Sequence, residues 1–159
     1  MDKIINIPKA SSIADLLKKN KESIVLVGGC FDIIHIGHIK FLKEAKKMGD
    51  RLFILLESDQ KVRKLKGENR PIIKQKERAI MLSSISYTDY IVILPFINSD
   101  IGYDRLALAI KPDIIAATEN DPCLLRKRKQ AELVGGKIKI VPLVKTFSSS
   151  KLVKLLGLE

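Results

Sequence analysis

GGCFDIIHIGH, residues 28–38, stands between the apolar run IVLV (24–27) and a stretch in which Ile39, Leu42 and Ala45 recur at helical spacing. The order is strand, glycine turn, helix start. Glycines at such a turn let backbone N–H groups approach a bound group closely, and the positive end of the following helix dipole favours an anion there. His35 and His38, three apart around Gly37, share one face of the first helical turn, so both imidazoles can donate to one anion. A bare H-x-G-H can also be two polar residues opening a helix, so its meaning depends on context.

That context is read outward from the turn. RLFILLES (51–58), IVILP (91–95), DIIAA (113–117) and KIKIVPLV (137–144) read as further strands. Helices are expected over 38–47, KQKERAIMLSSI (74–85), YDRLALAIK (103–111), the basic CLLRKRKQAELVGG (123–136) and the terminal LVKLLGL (152–158). The charged residues 59–73, ending in Arg70-Pro71, read as a loop. Upstream, Ser11 or Ser12 caps a helix over IADLLKKNK (13–21). Continuously apolar strands alternating with helices predict a doubly wound, Rossmann-like α/β domain, a five-stranded parallel sheet with helices on both faces. One domain covers 1–159, with 1–22 as an N-terminal helical extension. Ligands of such sheets bind at the carboxyl ends of the strands, where the first strand delivers the glycine turn.

The 159 residues are 46% hydrophobic, enough for a single core. The opening MDKIINIPKASS lacks the order of a signal peptide, and no apolar run is long enough to span a bilayer; a cytoplasmic protein without a membrane partner is expected. Cys30 and Cys123 lie far apart and form no C-x-x-C, so neither a disulfide framework nor a zinc site is indicated, and no metal site is assigned to protein side chains. A net charge of +11 points to nucleic acid, an acidic surface or phosphorylated small molecules. Aromatic residues are 5% with no Trp, which leaves few stacking side chains and disfavours nucleic acid. The run Arg126-Lys127-Arg128-Lys129 then reads as a solvated helix face.

GCFD, His35-Ile36-Gly37-His38, SDQKVRKLKGENRPI (58–72), Glu77-Arg78, FINSD, KPDII, VGGKIKIVPLV and FSSSKLV occur in the order of the HxGH nucleotidyltransferases. Over almost its whole length the chain resembles that cytidylyltransferase-like superfamily, and within it the adenylyltransferase domain of ADP-heptose synthase. The resemblance implies attack by a phosphorylated sugar or polyol on the α-phosphate of a nucleoside triphosphate, with release of pyrophosphate and no covalent enzyme intermediate. ATP is preferred over CTP, Mg²⁺ is carried with the triphosphate, and a homodimer is expected. His35, His38, Lys66 and Lys64 take the catalytic roles. Gly29, Cys30, Phe31, Asp32, Arg78, Ser148, Ser149 and Ser150 surround nucleotide and phosphates. Gly28, Thr118, Glu119 and Asn120 set acceptor or base specificity.

Two departures stand out. Gly28 replaces the relatives' Asn, and Ala117-Thr118-Glu119-Asn120-Asp121 replaces their Lys-Gly-Gly-Asp-Tyr. Both lie where substrate is read, so an acceptor other than heptose phosphate is expected. Alternatives within the class are a glycerol-3-phosphate cytidylyltransferase and an archaeal-type FAD synthetase; outside it, a catalytically weak paralogue binding RNA or a partner protein.

Overall fold

The computed structural model describes residues 2–158. Its sheet has the order β1-β4-β3-β2-β5-β6, all strands parallel. The strands are β1 (Ile4–Ile5), β2 (Ile24–Gly29), β3 (Arg51–Leu56), β4 (Tyr90–Ile93), β5 (Ile114–Thr118) and β6 (Lys137–Val141). The helices are α1 (Ile7–Lys19), α2 (Ile36–Lys46), α3 (Asp59–Lys66), α4 (Gln75–Ser83), α5 (Asp100–Ile110), α6 (Leu124–Leu133) and α7 (Ser149–Leu155). Among the described residues no helix is long and apolar enough to cross a membrane.

The sheet therefore has six strands where five are expected. The sixth is Ile4–Ile5, too short to carry a periodicity, and it exists because Ile4 and Ile5 pair with Ile91 and Val92 at the edge of β4. Behind it α1 begins earlier than Ser11 or Ser12 would place it. Asn6 is the cap, its side chain accepting from Lys9 N at 3.0 Å, and Pro8 stands in the first turn, where a missing N–H costs nothing. Ala10, Ile13, Ala14 and Leu17 are the buried stripe. Residues 2–22 thus enter the core and the sheet.

Strand side chains alternate between two apolar layers. Ile24, Leu26, Phe53 and Leu55 face α1 and α5, whereas Val25, Val27, Leu52, Ile54 and Leu56 face α2 and α4. Burial on both sides explains why these strands read as unbroken apolar runs.

From β2 the chain steps to β3 and β4, then crosses back through α5 to place β5 on the other flank of β2. This is the topological switch point. The β2–β5 ladder comprises only Val25↔Ile114 and Leu26↔Ile115. By contrast β2 stays paired with β3 to Gly29↔Leu56, and β5 with β6 to Thr118↔Val141. The sheet consequently forks at its carboxyl edge.

Candidate active site

The glycine turn projects into that fork. Phe31 takes a left-handed conformation (φ 46°) that L side chains rarely adopt, and its buried ring lies 5.2 Å from that of His38. His35 is the N-cap of α2, with Nδ1 accepting from Gly37 N at 3.1 Å; His38 Nδ1 receives His35 N at 3.4 Å. With Nδ1 of each ring used as an acceptor, the neutral imidazoles carry their protons on Nε2 as donors. Their centroids are 3.9 Å apart. A Cβ on Gly37 would lie 2.9 Å from both His35 Cε1 and Thr146 Cγ2, so one of these side chains would have to shift.

Burial, with the neighbouring His35 and Lys66, holds His38 down to about 4, against a hydrogen bond to the Ile33 backbone carbonyl that raises it. His35 is lowered by burial and by Lys66. Two neutral donors therefore meet a cation from the opposite wall. Burial also pushes the Cys30 thiol up, despite Lys66, so it stays protonated beside the histidines and is not set up as a nucleophile.

Two cavities open from the fork, of about 320 and 630 Å³. Both are lined by Gly28, Gly29, Cys30, His35, His38, Lys66, Thr118 and Ser148. The smaller adds Phe31, Phe41 and the segment Pro142, Leu143 and Val144; the larger adds Asn120, Ser149, Glu57, Tyr103 and Arg126. The cavities thus share a polar centre; the smaller runs on along aromatic and aliphatic side chains, and the larger mixes these polar groups with Leu26, Val27, Leu55 and Ile115.

Lys66 ends α3, a helix where residues 59–73 read as a loop. Ser58 caps it, its Oγ accepting from Lys61 N at 3.1 Å, and Asp59 at its start and Arg63, Lys64 and Lys66 at its end suit the helix dipole. Gly67 stops it at φ 107°. Lys66 Nζ then reaches Ser149 Oγ at 3.2 Å. Lys64 is turned to Asn98 and lines neither cavity.

Asp32 and Arg78 lie beneath the site. Asp32, 0% exposed, receives Arg70 Nε at 2.6 Å, Ile72 N at 3.1 Å and Ile73 N at 2.9 Å, which pins the segment after α3. Burial would raise its carboxyl, but these hydrogen bonds outweigh it and hold the group below its ordinary value. Arg78 is also 0% exposed, and its guanidinium serves Ile73 O, Cys30 O, Glu57 O and Asp59 Oδ1. It ties the ends of β2 and β3 to α4. Ser150 and Glu119 are exposed and line neither cavity; Ser148 Oγ caps α7 by accepting from Lys151 N at 3.2 Å.

Residues that sequence reasoning did not assign to the site include Glu57, Tyr103, Arg126 and Lys127, all lining the larger cavity. Arg126 and Lys127 belong to the run read as solvated, of which only Arg128 and Lys129 are exposed. Their position in the first turn of a helix leaving the carboxyl edge is the signal that marks them. Among the described residues no three His, Cys, Asp or Glu side chains gather to hold a metal ion.

A switch-point fork carrying an imidazole pair and an opposed lysine can hold phosphate groups and stabilise their charge. Residues 26–154 match the model of the Cytidylyltransferase-like family, and the chain belongs to that family. It is 36% identical over 150 residues to the bifunctional protein HldE of Campylobacter jejuni (strain 81116), covering 93% of this chain and 31% of that protein. With the HldE of Koribacter versatilis it shares 37% over 138 residues, 86% of this chain and 28% of that one. The chain therefore spans less than a third of these relatives. Among solved structures, a lipopolysaccharide core biosynthesis protein from Thermoplasma volcanium superposes with a TM-score of 0.62 at 27% identity, over 79% of this chain and 99% of that one. Pantoate-beta-alanine ligase from Francisella tularensis, with a TM-score of 0.67 at 19% identity over 97% and 73% of the two chains, shares the fold.

Proposed function

We propose that this chain moves a nucleoside monophosphate, AMP in preference to CMP, from its triphosphate to a phosphorylated sugar or polyol and releases pyrophosphate. The observation that carries the reading is the pair of cavities meeting at His35, His38, Lys66 and the Gly28-Gly29 backbone. A transfer between two substrates needs two seats and one shared centre. The smaller arm along Phe41 and Pro142 to Val144 suits a nucleobase, and the larger arm, where Glu57, Tyr103 and Arg126 stand, suits the acceptor. The preference for ATP and for a sugar follows the similarity to HldE and to the lipopolysaccharide core biosynthesis protein.

In this reading an acceptor phosphate oxygen, already ionised, attacks the α-phosphorus. The bond from that phosphorus to the bridging oxygen breaks, and pyrophosphate carries away the electron pair. No general base is required. The work is positioning and charge stabilisation, supplied by the Nε2–H groups of the histidines and the Lys66 ammonium. Mg²⁺ enters as part of the triphosphate substrate, completing its shell with phosphate oxygens and water.

Pyrophosphate release, measured for ATP and CTP against sugar 1-phosphates, glycerol 3-phosphate and FMN, is the test. The reading expects release only when both a triphosphate and a phosphorylated sugar or polyol are present. Best turnover with FMN, or none at all alongside salt-sensitive RNA binding, would overturn it.

A further inference from the structure

The larger cavity is lined by a half-buried carboxylate that the transfer chemistry does not use. Glu57 follows β3 directly, and its backbone is held on both sides: its N–H donates to Gly29 O at 3.1 Å, and its carbonyl accepts from Arg78 Nη2 at 2.9 Å. Its Oε1 receives the Tyr103 hydroxyl at 2.8 Å. Its Oε2 is buried without a hydrogen-bond partner among the described residues. An unpaired buried carboxylate oxygen is costly, and burial accordingly raises the Glu57 carboxyl, against the Tyr103 hydroxyl and the attraction of Lys61, Arg126 and Lys127.

The neighbouring donors are engaged elsewhere. Arg126 binds Asp100 Oδ1 at 2.5 Å and Cys123 Sγ at 2.9 Å, with its guanidinium 4.9 Å over the Tyr103 ring. Lys61 Nζ donates to Ile97 O at 2.9 Å, Lys127 Nζ to Asp121 Oδ2 at 2.5 Å and Gln130 Nε2 to Asp104 Oδ1 at 3.1 Å. A molecule filling the 630 Å³ cavity that Glu57 lines can supply the missing donor. An ionised phosphate does not supply it, because it brings only acceptor oxygens. A hydroxyl fits.

We infer that Glu57 is the specificity-determining residue for the acceptor: Oε2 accepts a hydrogen bond from a hydroxyl of the sugar or polyol, and Tyr103, holding Oε1, is its positioning residue. This rests on the transferase reading above and names the part of the acceptor that is read. A ribose hydroxyl of the nucleotide has the same chemistry, but the smaller cavity, which Glu57 does not line, is the seat that suits the base. A site built around a hydroxyl rejects the analogue lacking it, by about 10⁴-fold when a buried partner is left unpaired.

The test uses the best acceptor from the panel, its deoxy analogues and 2′- and 3′-deoxy-ATP, with wild type, Glu57→Gln and Tyr103→Phe. In wild type, kcat/KM for one deoxy acceptor falls by about 100-fold or more. In Glu57→Gln the intact acceptor loses a similar factor and the preference over its deoxy analogue shrinks towards unity, while Kd for ATP stays within about two-fold. Tyr103→Phe keeps the carboxylate and weakens the preference partially, so it reads the idea even where Glu57→Gln folds poorly. An unchanged deoxy preference in folded variants, or loss appearing only against deoxy-ATP, overturns the inference and leaves the transferase reading standing. A wild-type protein that releases no pyrophosphate with any acceptor overturns that reading, and the inference with it.

Discussion

Lys66 Nζ and Ser149 Oγ meet at 3.2 Å although 83 residues separate them in sequence, joining the end of α3 to the start of α7 over the shared centre of the two cavities. Lys66 is exposed apart from this contact, so replacing it disturbs little packing. Lys66→Met is expected to lower kcat/KM for the triphosphate by about 100-fold or more, as loss of a transition-state charge partner does. Lys64→Met, altering a side chain turned to Asn98, should cost less than about ten-fold. Steady-state kinetics with thermal melts as a folding control checks both, and equal losses would remove the distinction between the two lysines.

The histidines provide a second expectation. His35→Ala and His38→Ala each remove one preorganised donor, and kcat is expected to fall by about 100- to 1000-fold. Gly37→Ala should reproduce much of that loss without touching an imidazole, because its methyl would press on His35 and Thr146 at 2.9 Å. Near-normal turnover in Gly37→Ala would show that His35 has room to spare.

Stability against pH follows from His38. Its ordinary value of 6.5 belongs to the unfolded chain, and the folded protein holds it at about 4. Between those values the unfolded chain binds more protons, so stability falls as pH drops from 6.5 towards 4. Denaturant midpoints at pH 7.5 and 5 should differ in that sense, and His38→Gln should reduce the difference. An unchanged slope in the variant would place the titration elsewhere.

Arg78 gives the fourth. Four acceptors on three segments share its guanidinium, and removing one side of a buried charged network costs about 3–5 kcal/mol. Arg78→Met is thus expected to melt roughly 10 °C lower. Triphosphate affinity of the remaining folded protein, measured at low temperature, should stay within a few-fold. A melting point near wild type with affinity lost would instead make Arg78 a phosphate contact.

The sheet was legible because its central strands are apolar on both faces, and the turn at 28–38 was legible because glycines and spaced histidines have few other uses in that position. β1 was not, since two residues carry no period. α3 was hidden by composition: DQKVRKLK buries only Val62, and its order comes from a cap and charges at both ends. Asp32 and Arg78 look alike in sequence whether they hold a phosphate or hold the floor beneath one, and only burial separates the two. Arg126 and Lys127 were masked by Arg128 and Lys129, whose identical charge points to solvent. Glu57 left no signal, because the meaning of a lone carboxylate after a strand depends on partners far away in sequence.

The short seam between Val25–Leu26 and Ile114–Ile115 joins the two halves of the sheet by one narrow weld. Beyond it, the ends of β2 and β5 face each other without rungs, so whatever occupies the fork touches both halves at once. A ligand held there would clamp the free lips of the weld, and slower hydrogen exchange in β2 and β5 on binding is the expected sign.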